Sequence, residues 1–144
     1  MRVQKVVDSN VLQCDALRKY LARSLQHFVI LTDYAFMEAY KADTLDVLYC
    51  SMEILSQYPK QVIVLKGTQA VCGLSGRGAG LQKRLIDQKQ TLGFAKYSAH
   101  LIAAKRGDRH VQTQLLNYAR EARLGCKWIV YSVMQRILVR PLKA

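Results

Sequence analysis

Two carboxylates stand out by their surroundings. Asp8 closes the apolar run Val6-Val7-Asp8, and Glu38 lies inside Tyr34-Ala35-Phe36-Met37-Glu38-Ala39-Tyr40. A glutamate in so apolar and aromatic a turn is expensive to bury unless something compensates its charge. A divalent cation shared with Asp8 would do so. Hard oxygen ligands of this kind suit Mg2+ or Mn2+, which keep several waters and bridge to phosphate. The same pattern accommodates a plainer arrangement, with Glu38 on a solvent-facing stripe and Asp8 capping a turn.

Other chemistries find less support. Gly73-Leu74-Ser75-Gly76-Arg77-Gly78-Ala79-Gly80 is glycine-rich, and Gly73 and Gly78 have the spacing of a nucleotide phosphate loop. Ala79-Gly80 stands where that loop needs a lysine and a hydroxyl, so the phosphate and magnesium contacts are missing. A loop before a helix is the plain reading, although backbone N–H groups beside Arg77 can hold a single phosphate. His27, His100 and His110 lack zinc-helix spacing, and no serine nucleophile motif occurs. Cys14, Cys50, Cys72 and Cys126 are scattered among apolar neighbours, without a C-x-x-C pair. They are expected to be buried, reduced thiols, as in a reducing cytoplasm.

The charge is uneven. Residues 1–72 carry eight Lys/Arg against seven Asp/Glu, whereas residues 73–144 carry fourteen against three. Nearly all of the net charge of +12 therefore belongs to the second half. A solubilising surface normally mixes both signs, so a one-sided excess predicts a polyanionic partner. No apolar stretch approaches the roughly 18 residues of a membrane span, and the N-terminus does not read as a targeting segment. With 51% hydrophobic and 22% charged residues, the 144-residue chain is expected to form a single domain, 1–144.

The elements that must position Asp8 and Glu38 follow from periodicity. Val3, Val6 and Val7 before Asp8-Ser9-Asn10 predict a buried strand ending in a polar loop. Leu17, Leu21 and Leu25 predict one face of a helix beginning near Asp15. Phe28-Val29-Ile30-Leu31 reads as a second strand. Thr32 or Asp33 is placed to cap a helix over 34–40, and Asp43 or Thr44 another that stops before Pro59. Val62-Ile63-Val64-Leu65 is the clearest strand. Strands separated by helical segments predict a parallel sheet, whose functional crevice lies at the strands' carboxyl ends. Beyond the glycine-rich loop the chain reads as helical to about Arg123, with breaks at Gly93 and Gly107. Trp128-Ile129-Val130-Tyr131 fits a last strand or part of a final helix.

Val6-Val7-Asp8-Ser9-Asn10-Val11-Leu12 resembles the opening of a PIN domain, and the segment around Glu38 resembles that family's second, glutamate-bearing signature. The resemblance covers roughly the first half of the chain. It implies a three-layer α/β/α fold with a mainly parallel sheet, here followed by a largely helical C-terminal region. PIN domains are commonly metal-dependent ribonucleases, many of them toxins of toxin–antitoxin pairs. By resemblance Asp8 and Glu38 would be metal ligands and catalytic residues, with Ser9 or Asn10 supporting them. The second half departs from the pattern. Ser98 stands where a third acid would be, and Gln114 where a fourth would follow a short strand.

The expectation is therefore cleavage of RNA phosphodiesters by a PIN-type cytoplasmic hydrolase using Mg2+ or Mn2+. Lys83, Arg84, Lys105, Arg106 and Arg109, together with Arg77, would place the RNA backbone. The alternative is a catalytically degenerate PIN-like module that binds RNA or a protein partner without cleavage. An antitoxin or other acidic protein is a further expected partner. The apolar, aromatic tail over 128–142 motivates a homodimer.

Overall fold

The computed structural model describes residues 1–67 and 85–124. The strands are β1 (Val3–Val7), β2 (His27–Leu31) and β3 (Val62–Val64). They form one sheet in the order β1-β2-β3, with both pairs parallel. The fold is α/β, with a parallel sheet, two helices among the described residues after it, and an arrangement compatible with three α/β/α layers.

Helix α1 (Asp15–Arg23) joins β1 to β2, and α2 (Asp33–Tyr40) and α3 (Leu45–Gln57) join β2 to β3. Thr32 Oγ1 accepts from Ala35 N (3.2 Å) and Thr44 Oγ1 from Val47 N (3.4 Å), so both predicted threonine caps are formed. Each satisfies a backbone donor that the first helical turn leaves unpaired. A 3-10 turn, Pro59–Gln61, then leads into β3.

Registered strand residues share a face, and that divides the sheet. Val7, Val29, Leu31, Val62 and Val64 belong to the core, where they meet Leu17, Leu21, Leu48, Met52 and Leu55. Gln4, Val6, Phe28 and Ile30 occupy the opposite face with Ile63, which is buried but lies outside that core cluster. Buried Gln61 ties the layers together: its Nε2 reaches the carbonyls of Leu21 (3.0 Å), Ser24 (3.0 Å) and His27 (2.7 Å).

The C-terminal half adds α4 (Gln88–Lys105) and α5 (Arg109–Arg123). Helix α4 starts at the carboxyl end of β3, where Asp87 N donates to Val64 O (2.9 Å). Thr91 Oγ1 accepts from Val64 N (2.9 Å) and so closes the outer edge of β3. An aromatic cluster joins α4 to α2. Phe36, Tyr40, Phe94 and Tyr97 are all fully enclosed, and Tyr40 Oη donates to Tyr97 Oη at 2.8 Å.

Some expectations need correction. Gly93 does not interrupt α4, whereas Gly107 separates α4 from α5 with φ +112°. Leu25 lies past the end of α1 and is exposed, so only Leu17 and Leu21 face the core. Cys14 and Cys50 are free and exposed rather than buried, because each sits on the outward side of its segment. The glycine-rich loop, Arg77, Lys83, Arg84, Cys72, Cys126 and the tail over 128–142 lie outside the described residues.

Candidate functional site

Asp8 lies at the carboxyl end of β1, and Glu38 lies on the helix that follows β2. Asp8 follows β1 and caps a 3-10 turn, Ser9–Val11. Its Oδ1 accepts from Ser9 N (2.7 Å) and more distantly from Ser9 Oγ (3.4 Å), and its Oδ2 from Asn10 Nδ2 (3.3 Å). Ser9 and Asn10 thus hold Asp8, which serves as a turn cap. Glu38 comes from α2, and α2 packs against the Ser9–Val11 turn. The two elements that carry the carboxylates are neighbours.

Of the two arrangements open to Glu38, the structure has the solvent-facing stripe and not the buried charge. Half of its side chain is exposed, and its Oε1 accepts from Lys41 Nζ at 2.7 Å. Tyr34, Glu38 and Lys41 follow one another at helical spacing, and all three are exposed, so this is the outer stripe of α2. The core side is carried by Ala35, Phe36, Met37, Ala39 and Tyr40. No cation is needed to compensate a desolvated Glu38.

The donor set for a divalent ion is correspondingly thin. Each carboxylate keeps lone pairs beyond those already used, so Asp8 and Glu38 offer two carboxylate ligands. Among the described residues no group of three or more His, Cys, Asp or Glu side chains is placed to hold a metal. Ser98, at the third acidic position, is only 2% exposed in the middle of α4, and its Oγ donates to Phe94 O (2.9 Å). It belongs to the packing of α4 rather than to the surface near Asp8. Gln114 lies within α5, where its Nε2 donates to His110 Nε2 (3.0 Å), so no short strand precedes it. Two carboxylates from exposed side chains fit a hydrated, loosely held Mg2+ or Mn2+ and do not fit an enclosing cage.

The cations take a different position. Lys105, Arg106 and Arg109 are all exposed at the corner between α4 and α5. Asp108, the acid among them, is committed as the cap of α5, its Oδ1 accepting from His110 N (3.1 Å) and Val111 N (3.2 Å). Lys105 approaches Glu53 only to 3.9 Å. Helix α4 begins at the carboxyl end of β3 and runs 18 residues before this corner, a length of about 27 Å. Its last turn lies beside Glu53, in the second half of the helix that returns the chain to the amino end of β3. The structure therefore does not bring Lys105, Arg106 and Arg109 to the Asp8–Glu38 end.

Further cations line the same helices. Lys89 and Lys96 are exposed on α4 and Arg120 on α5, and Arg123 Nη1 meets Asp43 Oδ1 at 3.2 Å. Asp87 is spent as the cap of α4, accepting from Gln90 N at 3.0 Å. Sequence reasoning counted these cations without locating them. It missed Gln61 and the Tyr40–Tyr97 pair, which carry no local signal because their partners are tens of residues away. No family model matches the chain, and no curated protein or solved structure is significantly similar to it.

Proposed function

We propose that this chain is an RNA-binding module that holds the phosphate backbone on the cations of α4 and α5 without cutting it. The observation that carries the reading is the α4–α5 corner. There Lys105, Arg106 and Arg109 are exposed together while the neighbouring carboxylate, Asp108, is occupied as a helix cap. Exposed cations at this density attract a polyanion whatever its sequence, through counterion release. The PIN resemblance of the first half selects RNA among polyanions. The exposed, lysine-paired Glu38 and the packed Ser98 support binding without hydrolysis.

The second reading is the metal-dependent ribonuclease, favoured by the packing of α2 against the turn that Asp8 caps. In that reading Asp8 and Glu38 would hold Mg2+ or Mn2+, and the chemistry such an ion supplies is a polarised phosphoryl oxygen and a more acidic bound water.

One experiment separates the two. Labelled single-stranded RNA is titrated with wild type, Asp8→Asn, Glu38→Gln and the triple variant Lys105→Ala/Arg106→Ala/Arg109→Ala. Anisotropy is read with Mn2+ or with chelator, and the RNA is then run on a gel. Binding that survives chelator and both carboxylate substitutions, weakens at least tenfold in the triple variant, and leaves the RNA intact is expected. Cleavage that needs Mn2+ and disappears in Asp8→Asn would replace this reading with the nuclease. RNA affinity unchanged in the triple variant would remove the corner from the interface.

A further inference from the structure

The two edges of the sheet are treated differently. At β3 the outward N–H of Val64 is taken by Thr91 Oγ1, and the flanking backbone is bonded through Lys66 N to Leu85 O (2.8 Å) and Asp87 N to Val64 O. At the other edge, β1 pairs with β2 and with no other described strand. Val3 N donates to Gln26 O (2.8 Å), so the odd-numbered residues of β1 turn their backbone groups toward β2. Alternation along a strand then turns the N–H and C=O of Gln4 and Val6 outward. Gln4, Lys5 and Val6 are all exposed, and Val6, an apolar β-branched residue in mid-strand, is 68% exposed.

An edge left open among the described residues is a template for another strand unless it is blunted, and proteins usually blunt it with charged side chains, lysine above all, with proline, a bulge or a covering element. β1 has no proline and no break in the ladder to β2, and of these devices its sequence Val-Gln-Lys-Val-Val carries only Lys5, whose charge an acidic segment would neutralise. What flanks the edge is positive. Arg2 lies over the Phe28 ring at 4.4 Å on one face, and Lys5 over the Tyr20 ring at 4.7 Å on the other. The rings fix both cations beside the strand.

We infer that the outer edge of β1 receives an extended acidic segment of a protein partner, which adds to the sheet as a strand. Backbone bonds to Gln4 and Val6 would supply affinity, and alternating side chains would supply selectivity. An apolar side chain would cover Val6, and a carboxylate would meet Arg2 or Lys5. A second copy of this chain is the poorer occupant. It would set Arg2 and Lys5 against their own images, and each chain carries a net charge of +12. This inference does not depend on the proposed binding of RNA, because it concerns a different surface and a different ligand.

The test uses the full chain and three seven-residue probes: alternating Glu/Val, alternating Lys/Val, and Glu/Val with a central proline. Amide exchange is followed residue by residue with and without peptide. In the free chain Gln4 and Val6 are expected to exchange fast and Lys5 and Val7 slowly. The Glu/Val peptide is expected to slow Gln4 and Val6, and to bind at least tenfold more tightly than either control. Val6→Pro removes an outward donor and leaves the bonds to β2, so it should abolish that protection. Val6→Glu, which keeps the backbone intact and sets a like charge against the acidic probe, should weaken it if the proline variant does not fold. Protection of Gln4 and Val6 already present in the free monomer would overturn the inference. So would peptide protection confined to α4 and α5, no protection at millimolar peptide, or a concentration-dependent dimer that protects the same amides.

Discussion

At the residue scale the most consequential pair is Tyr40 with Tyr97, which links α2 to α4 through a single hydrogen bond in the core. Burial pushes both phenols above their ordinary value of 10.0, and for Tyr40 the neighbouring Tyr97 adds to the effect. Below pH 10 both are neutral folded and unfolded, so their contribution to stability is complete. Above it the unfolded phenols ionise while the buried ones do not, and stability falls by up to about 1.4 kcal/mol per pH unit for each. Urea titrations between pH 9 and 11 should show this loss, and Tyr40→Phe/Tyr97→Phe should flatten it. Tyr97→Phe alone leaves the Tyr40 donor buried without an acceptor and should cost about 1–3 kcal/mol, whereas the double variant should cost less than that single one. A double variant that costs as much as the single changes added together would mean that the bond itself contributes nothing.

At the scale of elements, what was legible in the sequence is what short-range physics determines. Thr32 and Thr44 announce their helices because a hydroxyl before an apolar period can accept the first free N–H groups, and Pro59 marks an end for want of a donor. The β-branched strands were equally plain. Their edges were not, since only the fold shows that Thr91 closes β3 while nothing described closes β1 beyond β2. For Glu38 the sequence left a buried, cation-compensated turn and a solvent-facing stripe both open, and the fold shows the stripe, shared by Tyr34, Glu38 and Lys41. A lone pattern of eight residues cannot say which of its faces meets the core. Gly107 was read correctly as a break, and its φ of +112° explains why. A Cβ there would meet no atom within 4 Å, so the penalty for Gly107→Ala is conformational alone. It should be about 1–2 kcal/mol, read as a lower denaturation midpoint with an unchanged slope. A neutral substitution would mean that the α4–α5 turn relaxes to an ordinary negative φ.

At the scale of the whole molecule, the question is whether +12 charges act as a diffuse cloud or through a surface. A diffuse cloud would make every lysine or arginine worth a similar fraction of the affinity for RNA. A surface makes the affinity depend on particular residues, and deleting one cation that neutralises a phosphate lowers the salt slope by about 0.7 for single strands. Removing Lys105, Arg106 and Arg109 should therefore reduce the slope of log K against log salt by about 2. Removing Lys5, Lys19 and Lys60 from the nearly neutral first half subtracts the same formal charge and should leave the slope almost unchanged. The comparison holds net charge constant between the two triple variants, so a difference in slope can only reflect where the charge sits. Equal slopes would return the RNA reading to nonspecific attraction, and the α4–α5 corner would then be a solvated turn with no share in function.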